Sequence, residues 1–339
     1  MKDVAQRAGV SSATVSRTLN GDANVSEEVR ERVLEAVRVL GYRPNRVARS
    51  LRRQTTETIG VVVSDIENPH FTRAVRAIED AAYSRGYRVI LCNTDETAAK
   101  QQAYLEMLAA EQVSGVIIAP ADPADTTISW LMDLGIPIVA YDRSVDDERA
   151  DAVFADNIQA GRLATEHLLT QGRERIGFIA GRPEIQTGAQ RLEGYLSAMR
   201  ARDLEPAVGM GHFRLEEARS ATRQLIREHP GLDALVVANN LMAIGALRAL
   251  REEGVHLPDD IAFVGIDDPP WASLIAPAMT TLAQPTQQMA TSAFDLLLDR
   301  ITNQRTQSRY VIYHFELCVR ESSGVVEPEN GAFAPVKQR

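Results

Sequence analysis

Residues 11–17 carry four hydroxyl side chains and one guanidinium: Ser11, Ser12, Thr14, Ser16 and Arg17. Short hydroxyls at the start of a helix suit phosphate oxygens, and longer side chains off the same turns reach base edges. Arg17 is the strongest candidate for direct reading, because a guanidinium donates two bonds to guanine at once. Farther on, Arg46, Arg49, Arg52 and Arg53 surround Ala48 and Leu51. Those arginines suit backbone phosphates. Leu51 stands on a short polar segment with no obvious core to join; packing against the rest of the chain is the plain alternative.

A third set is scattered through the remainder. Asp267 can accept two hydroxyl bonds, and Arg191 can donate in a planar fork. Asn239, Gln284 and Asp142 add mixed donors and acceptors. Phe71, Phe154 and Phe213 can flank a ring, although each also fits ordinary core. His70 belongs to the run Asn68-Pro69-His70-Phe71 and joins the set as a groove histidine. Together these side chains suit a carbohydrate better than a nucleobase. Asp267 also fits a helix N-cap, a role that Asp268 can fill instead.

Elements must hold these groups in place. Residues 2–41 read as three short helices. The first runs from Lys2 to Ala8 and stops at Gly9. Ser11 caps the second, which ends near Leu19. Ser26 caps the third, whose apolar stripe is Val29, Val33, Val37 and Leu40. The segment from Pro44, with Asn45 as N-cap, is a helix only when something packs on it. From Thr58 the pattern changes. Apolar strands at 59–64, 88–92, 115–119 and 137–141 alternate with helices at 71–85, 98–110 and 124–134. A second cycle has strands at 175–180, 234–238 and 261–266 and helices at 188–201, 215–228 and 241–253. Such alternation predicts an α/β body with parallel sheets covered on both faces. The cycles echo each other, with 136–142 matching 261–267. Ligands bind beyond the carboxyl ends of such strands, so two facing lobes predict a closable cleft.

The net charge of −9 argues against nucleic acid until it is divided. Residues 1–55 hold 11 basic and 6 acidic residues, net +5; the other 284 carry net −14. This split assigns nucleic-acid contact to a basic head on an acidic body. Cys92 and Cys318 are too few for a disulfide scaffold and lack metal-ligand spacing. No apolar run reaches membrane length, and the N-terminal MKDVAQRAGVSS lacks the apolar stretch of a signal peptide, so a cytoplasmic protein is expected. No nucleophile elbow or zinc motif occurs, and Gly209-Met210-Gly211 fails the dinucleotide spacing.

Residues 4–21, VAQRAGVSSATVSRTLNG, resemble the helix-turn-helix of the lactose-repressor (LacI/GalR) family. Val25-Ser26-Glu27-Glu28-Val29-Arg30 and Leu40-Gly41-Tyr42-Arg43-Pro44-Asn45 resemble its third helix and the start of its hinge. Asn68-Pro69-His70-Phe71, Asn239-Asn240 with Met242-Ala243, Gly265-Ile266-Asp267-Asp268 and Thr280-Thr281-Leu282-Ala283-Gln284-Pro285 match in order, up to about Ser322.

The resemblance implies a three-helix DNA-binding head at 1–45 and a hinge helix with linker at 46–57. It implies a two-lobed body like a periplasmic binding protein. One lobe takes 58–156 with 286–313, the other 157–285 with 314–325, leaving a tail at 326–339. Ser11, Ser12 and Ala13 would lie against the DNA, Ala13 at a thymine methyl, with Thr14, Ser16 and Asn20 on phosphates. Ser26, Tyr42, Asn45, Arg46, Ala48 and Arg49 join them. Leu51, from paired hinge helices, would wedge into the minor groove. The partners implied are a palindromic double-stranded operator, a second copy of the chain and a small-molecule effector, with no cofactor, membrane or catalysis. A sugar effector is expected ahead of a purine co-repressor. A transport solute-binding protein is a further reading, but it predicts a signal peptide and no basic head.

Two departures stand out. Family members usually place a Thr and an apolar residue before Lys2-Asp3-Val4-Ala5; here Met1 abuts Lys2, so that cap is missing or the start lies upstream. Asn240 stands where many members carry Asp. The tail has no leucine heptads, so a dimer is expected without a coiled-coil tetramer.

Overall fold

Helix α1 (Lys2–Ala8) ends at Gly9, whose φ of 65° is the left-handed conformation that glycine adopts without steric penalty. The computed structural model describes residues 1–19, 24–42, 56–303 and 305–324, which divide into one unit up to Thr56 and another from Glu57. Asn20, Asn45, Arg46, Ala48, Arg49, Leu51 and the 326–339 tail lie outside the described residues.

In the first unit, Ser11 heads α2 (Ser12–Leu19): its Oγ accepts from the Thr14 amide at 3.1 Å. Helix α3 (Glu27–Val39) follows with Ser26 at its N-cap, but the Ser26 side chain makes no capping bond. Met1 likewise leaves α1 without a side-chain cap. Val4, Ala5, Ala8, Val15, Val33 and Ala36 form a small separate core. The expected stripe on α3 stops early: Val33 is buried, whereas Leu40 lies past the helix end and is 42% exposed.

The second unit holds two six-stranded sheets. One contains β1 (Thr58–Val63), β2 (Arg88–Asn93), β3 (Val116–Ile118), β4 (Ile138–Tyr141), β5 (Asp151–Ala155) and β11 (Tyr310–Tyr313), in the order β11-β5-β4-β3-β1-β2 and parallel throughout. The other contains β6 (Ile176–Ala180), β7 (Ala207–Met210), β8 (Ala234–Val237), β9 (Ala262–Ile266), β10 (Thr280–Ala283) and β12 (Glu316–Cys318), in the order β12-β10-β9-β8-β6-β7. It is parallel except for β12, which runs antiparallel to β10.

Helices α4 (Pro69–Ser84), α5 (Ala98–Ala110), α6 (Thr126–Asp133) and α11 (Thr286–Asn303) cover the first sheet. Helices α7 (Asn157–Thr170), α8 (Gln186–Arg200), α9 (Leu215–Glu228) and α10 (Asn240–Glu252) cover the second. The chain passes between the sheets three times: from β5 to α7, from β10 to α11 and from β11 to β12.

The sequence pattern misses β5, β7, β10, β11, β12, α7 and α11. The missed strands are only three to five residues long. The buried row on helix α7, Ala160, Ala164 and Leu168, is a faint apolar signal because two of its members are alanines, and the helix meets α8 backbone against backbone. A Cβ on Gly161 would sit 2.0 Å from the Arg191 carbonyl oxygen, and one on Gly194 2.1 Å from that of Ile158.

Asp151, at the start of β5, is wholly buried. Its carboxylate accepts from Arg300 at two 2.9 Å contacts, from the Arg309 amide at 2.7 Å and from Arg305. Burial pushes this carboxyl pKa up, but the Arg300 and Arg305 bonds outweigh it and hold it below the ordinary carboxylate value. The interaction therefore stabilises the fold above that ordinary value and is lost as pH falls through the lowered one. Asp151→Asn should cost about 3–5 kcal/mol at pH 7, because two arginines lose their buried counter-charge. Urea denaturation at pH 7 and pH 3 checks this: the gap between wild type and variant should narrow at the lower pH.

Candidate functional site

Eight strands of the body deliver side chains to one cavity, each from the loop or helix that follows its carboxyl end. Asp65, Asn68, His70 and Phe71 follow β1; Glu96 follows β2; Asp142 and Arg143 follow β4. From the other sheet, Arg182, Thr187 and Arg191 follow β6, and His212, Phe213 and Arg214 follow β7. Asn239, Asp267 and Gln284 follow β8, β9 and β10. The cavity they enclose is about 40 Å³.

Two positions repeat across the lobes. Asp142 and Asp267 each end a central strand with positive φ, 66° and 76°, a conformation that Asp tolerates better than most residues. Each is pinned by its own amide, to the carbonyl of Val153 or Leu282, both at 2.9 Å. Helix starts supply another pair. Asn68 caps α4 by accepting from the His70 amide at 2.9 Å, and Asn239 caps α10 by accepting from the Met242 amide at 2.8 Å.

Phe213 reaches the cavity on a strained backbone, with φ of 62° after 47° at His212. Its ring lies on Gly181, where a Cβ would come within 2.2 Å of it. The missing side chain at Gly181 is therefore the space that Phe213 occupies.

Charge in the cavity is balanced and largely paired. Four carboxylates (Asp65, Glu96, Asp142, Asp267) face four guanidiniums (Arg143, Arg182, Arg191, Arg214). Arg143 and Glu96 form a two-point pair at 2.7 Å and 2.7 Å, both deeply buried. Arg191 donates from Nε to Asn157 at 2.8 Å and from Nη1 to the Ala238 carbonyl at 2.6 Å. Asp267 accepts from Gln284 at 2.8 Å and from Asn240 at 3.4 Å. Burial raises the Asp65 carboxyl pKa, against the lowering pull of the Glu67 amide and Arg214.

Other bonds tie lobe to lobe. Arg214 reaches Asp65 at 3.4 Å and Asp95 at 3.1 Å. The Ser144 amide donates to Gln186 at 2.8 Å, and Arg73 to the Asp268 carbonyl at 3.0 Å. Asn240 Nδ2 donates to Asn68 Oδ1 at 3.0 Å. A carboxylate at position 240 has no proton to give to either Asn68 or Asp267, which gives the departure at Asn240 a physical consequence.

The structure brings together nine of the ten expected cleft residues: Asn68, His70, Phe71, Asp142, Arg191, Phe213, Asn239, Asp267 and Gln284. Phe154 is the exception. It lies within β5, beside Ile312, and only residues past a strand's end reach the cavity. His70 is buried, bonded to Thr286 at 3.2 Å and stacked on Tyr141. Phe71 is both cavity lining and core. Sequence reasoning missed Asp65, Glu96, Arg143, Arg182, Thr187, His212 and Arg214. Asp65, Glu96, Arg143, Arg182 and Thr187 stand after strands legible in the sequence, which was the one available signal, whereas His212 and Arg214 follow β7, which the pattern misses.

In the head, Ser11, Ser12, Ala13 and Arg17 are exposed, and Thr14 and Ser16 are half-buried. Val15 and Thr18 face the core instead. Ala13 and Arg17, one turn apart, share the outward face. Ser26 is exposed, whereas Tyr42 packs against the head's core.

Comparison with known proteins follows these two units. Residues 1–45 match the family described as bacterial regulatory proteins, lacI family, and residues 56–321 match periplasmic binding proteins and the sugar binding domain of the LacI family. The ribose operon repressor of Halalkalibacterium halodurans is 37% identical over 95% of this chain and 96% of its own. The transcriptional repressor PurR of Pectobacterium carotovorum is 35% identical with the same coverage. Among solved structures, the transcriptional regulator CelR in complex with cellobiose matches at TM-score 0.73 and 35% identity, covering 95% of this chain and 98% of that one. The lac repressor dimer bound to operator and an anti-inducer matches at TM-score 0.85 and 29% identity, with the same coverage. The chain belongs to the LacI family: it is a DNA-binding repressor that carries an effector-binding domain.

Proposed function

We propose that this repressor acts in the cytoplasm as a homodimer on a palindromic operator, and that a carbohydrate bound between its lobes sets its operator affinity. The effector residues are Asn68, His70, Phe71, Asp142, Arg191, Phe213, Asn239, Asp267 and Gln284. The observation that carries the carbohydrate reading is the balance of four carboxylates against four guanidiniums in the cavity, with Arg143–Glu96 and Arg214–Asp65 paired inside it. A neutral polyol meets the remaining amides and carboxylate lone pairs without bringing a charge of its own, and Phe213 offers it an apolar face. Relatives whose names or complexes include ribose and cellobiose support this reading. The PurR relatives keep a purine as the second reading.

Residues 1–45 serve as the DNA-reading head, 46–57 as hinge and linker, and the body divides at 156/157, 285/286 and 313/314. Effector binding must favour one arrangement of the lobes over another, with a coupling of typically about 1–3 kcal/mol. Leu51 is assigned to the minor groove, and Ser11, Ser12, Ala13, Thr14, Ser16, Arg17, Asn20, Ser26, Tyr42, Asn45, Arg46, Ala48 and Arg49 to the rest of the DNA surface.

A thermal-shift screen of pentoses, hexoses and disaccharides, with hypoxanthine and guanine as controls, tests the effector class. A sugar at about a hundred times its Kd should add ~2.7 kcal/mol, a rise of a few degrees in Tm. A rise with the purines alone would overturn the carbohydrate reading. Operator titrations test the other end. Arg17→Met should lose about 1–3 kcal/mol and relax base preference at one position per half-site. Leu51→Ala should weaken operator binding at least tenfold and leave sugar-induced Tm shifts as they were; unchanged operator affinity would remove the wedge.

A further inference from the structure

Beside the cleft lies a second compartment of about 150 Å³, lined by Arg73, Asn240 and Thr286 among others. It shares His70, Asp267 and Gln284 with the first, so these three form a common partition. The cleft proper has room for roughly three water-sized positions and this annex for roughly ten. A group that fills the annex and still touches the cleft must be longer than the cleft itself.

The partition is unfinished as a hydrogen-bonded wall. Asn240 is 2% exposed and lines the annex but not the cleft. Its Nδ2 is committed to Asn68 and Asp267, and its Oδ1 has no partner. Gln284 is in the same state: Nε2 donates to Asp267 at 2.8 Å, and Oε1 has no partner. His70 Nε2 is also unpartnered, 3.5 Å from Asp142. Buried polar groups are normally satisfied, and each unpaired one is costly. Both amide oxygens call for donors. Two carboxylates in the lining, Asp267 and Asp268, turn away an anion. The cations beside them are already engaged: Arg73 donates to the Asp268 carbonyl and Arg320 to its carboxylate. Hydroxyl groups fit this demand, since each donates and accepts without charge.

We propose that the effector is a two-ring carbohydrate, with one ring in the annex giving hydroxyl hydrogens to Asn240 Oδ1 and Gln284 Oε1 and the other meeting the cleft residues as the lobes part around it. The inference rests on the carbohydrate reading above. Calorimetric titration of the full-length protein tests it with glucose, galactose, mannose and ribose as one-ring probes. The two-ring probes are cellobiose, maltose, lactose, sucrose and trehalose. The best two-ring sugar should bind at least tenfold tighter than the best one-ring sugar. Asn240→Leu, which fills and dries the annex, should bring that ratio close to one. Thr286→Val removes a single hydroxyl from the same wall and serves if the first variant does not fold; it should lower the ratio several-fold. A one-ring sugar that binds as tightly as any two-ring sugar would overturn the annex and leave the carbohydrate reading standing. A two-ring preference that survives in the folded variants would also overturn it. Binding of hypoxanthine or guanine with no sugar binding would overturn both.

Discussion

A parallel sheet has a direction, and the site depends on it. Parallel neighbours all finish at the same edge, so whatever follows them is gathered there without further instruction. In this body two such edges contribute to one cavity. That single constraint explains why residues far apart in the chain, such as Asp65, Asp142 and Asp267, converge. It also explains the exclusion of Phe154, which is in the strand and not beyond it. The helices matter to the site mainly through their first turns, where Asn68 and Asn239 spend a side-chain oxygen on a backbone amide and keep the amide nitrogen for other uses.

Much of this was legible in the sequence because local pattern and global arrangement agree. The matched segments at 136–142 and 261–267 became β4 and β9 with their left-handed aspartates, and seven of the nine shared cavity residues stand after strands the pattern shows, whereas Phe213 and Gln284 follow β7 and β10, which it does not. What was not legible depends on pairings across long separations. Nothing local marks Arg143 as the partner of Glu96, 47 residues away, or Asn240 as the donor to Asn68, 172 residues away. Helix α7 was hidden for a different reason. Its packing on α8 uses the absence of side chains at Gly161 and Gly194, and its buried row of Ala160, Ala164 and Leu168 is only a faint apolar signal. The head divides in the same way. Gly9 and Ser11 act as local signals would have them act, whereas Ser26 holds its position without making its bond.

The cavity also shows where stability has been given up. Successive left-handed residues at His212 and Phe213 and unpartnered atoms on Asn240 and Gln284 are unfavourable in isolation. They cluster at the cavity that the effector is proposed to occupy. Elsewhere the body is conservative: strands are apolar, and the buried Asp151 is surrounded by its cations.

The three passages of the chain between the lobes have a consequence for how the protein is made. Strand β11 pairs with β5 across Tyr310 and Ala152, and β12 pairs with β10 across Cys318 and Thr281. The turn after β12 then docks through Ser322, which donates to the Phe263 carbonyl at 2.6 Å, and Ser323, which meets His167 at 2.9 Å. The first lobe therefore lacks a strand until the ribosome has passed residue 313, and the second lacks its last parts until residue 323. The head, with a core of its own, can fold as soon as it emerges, while β5 and β10 wait as open edges. A nascent chain can thus hold a finished DNA-reading head before it has a body able to sense anything.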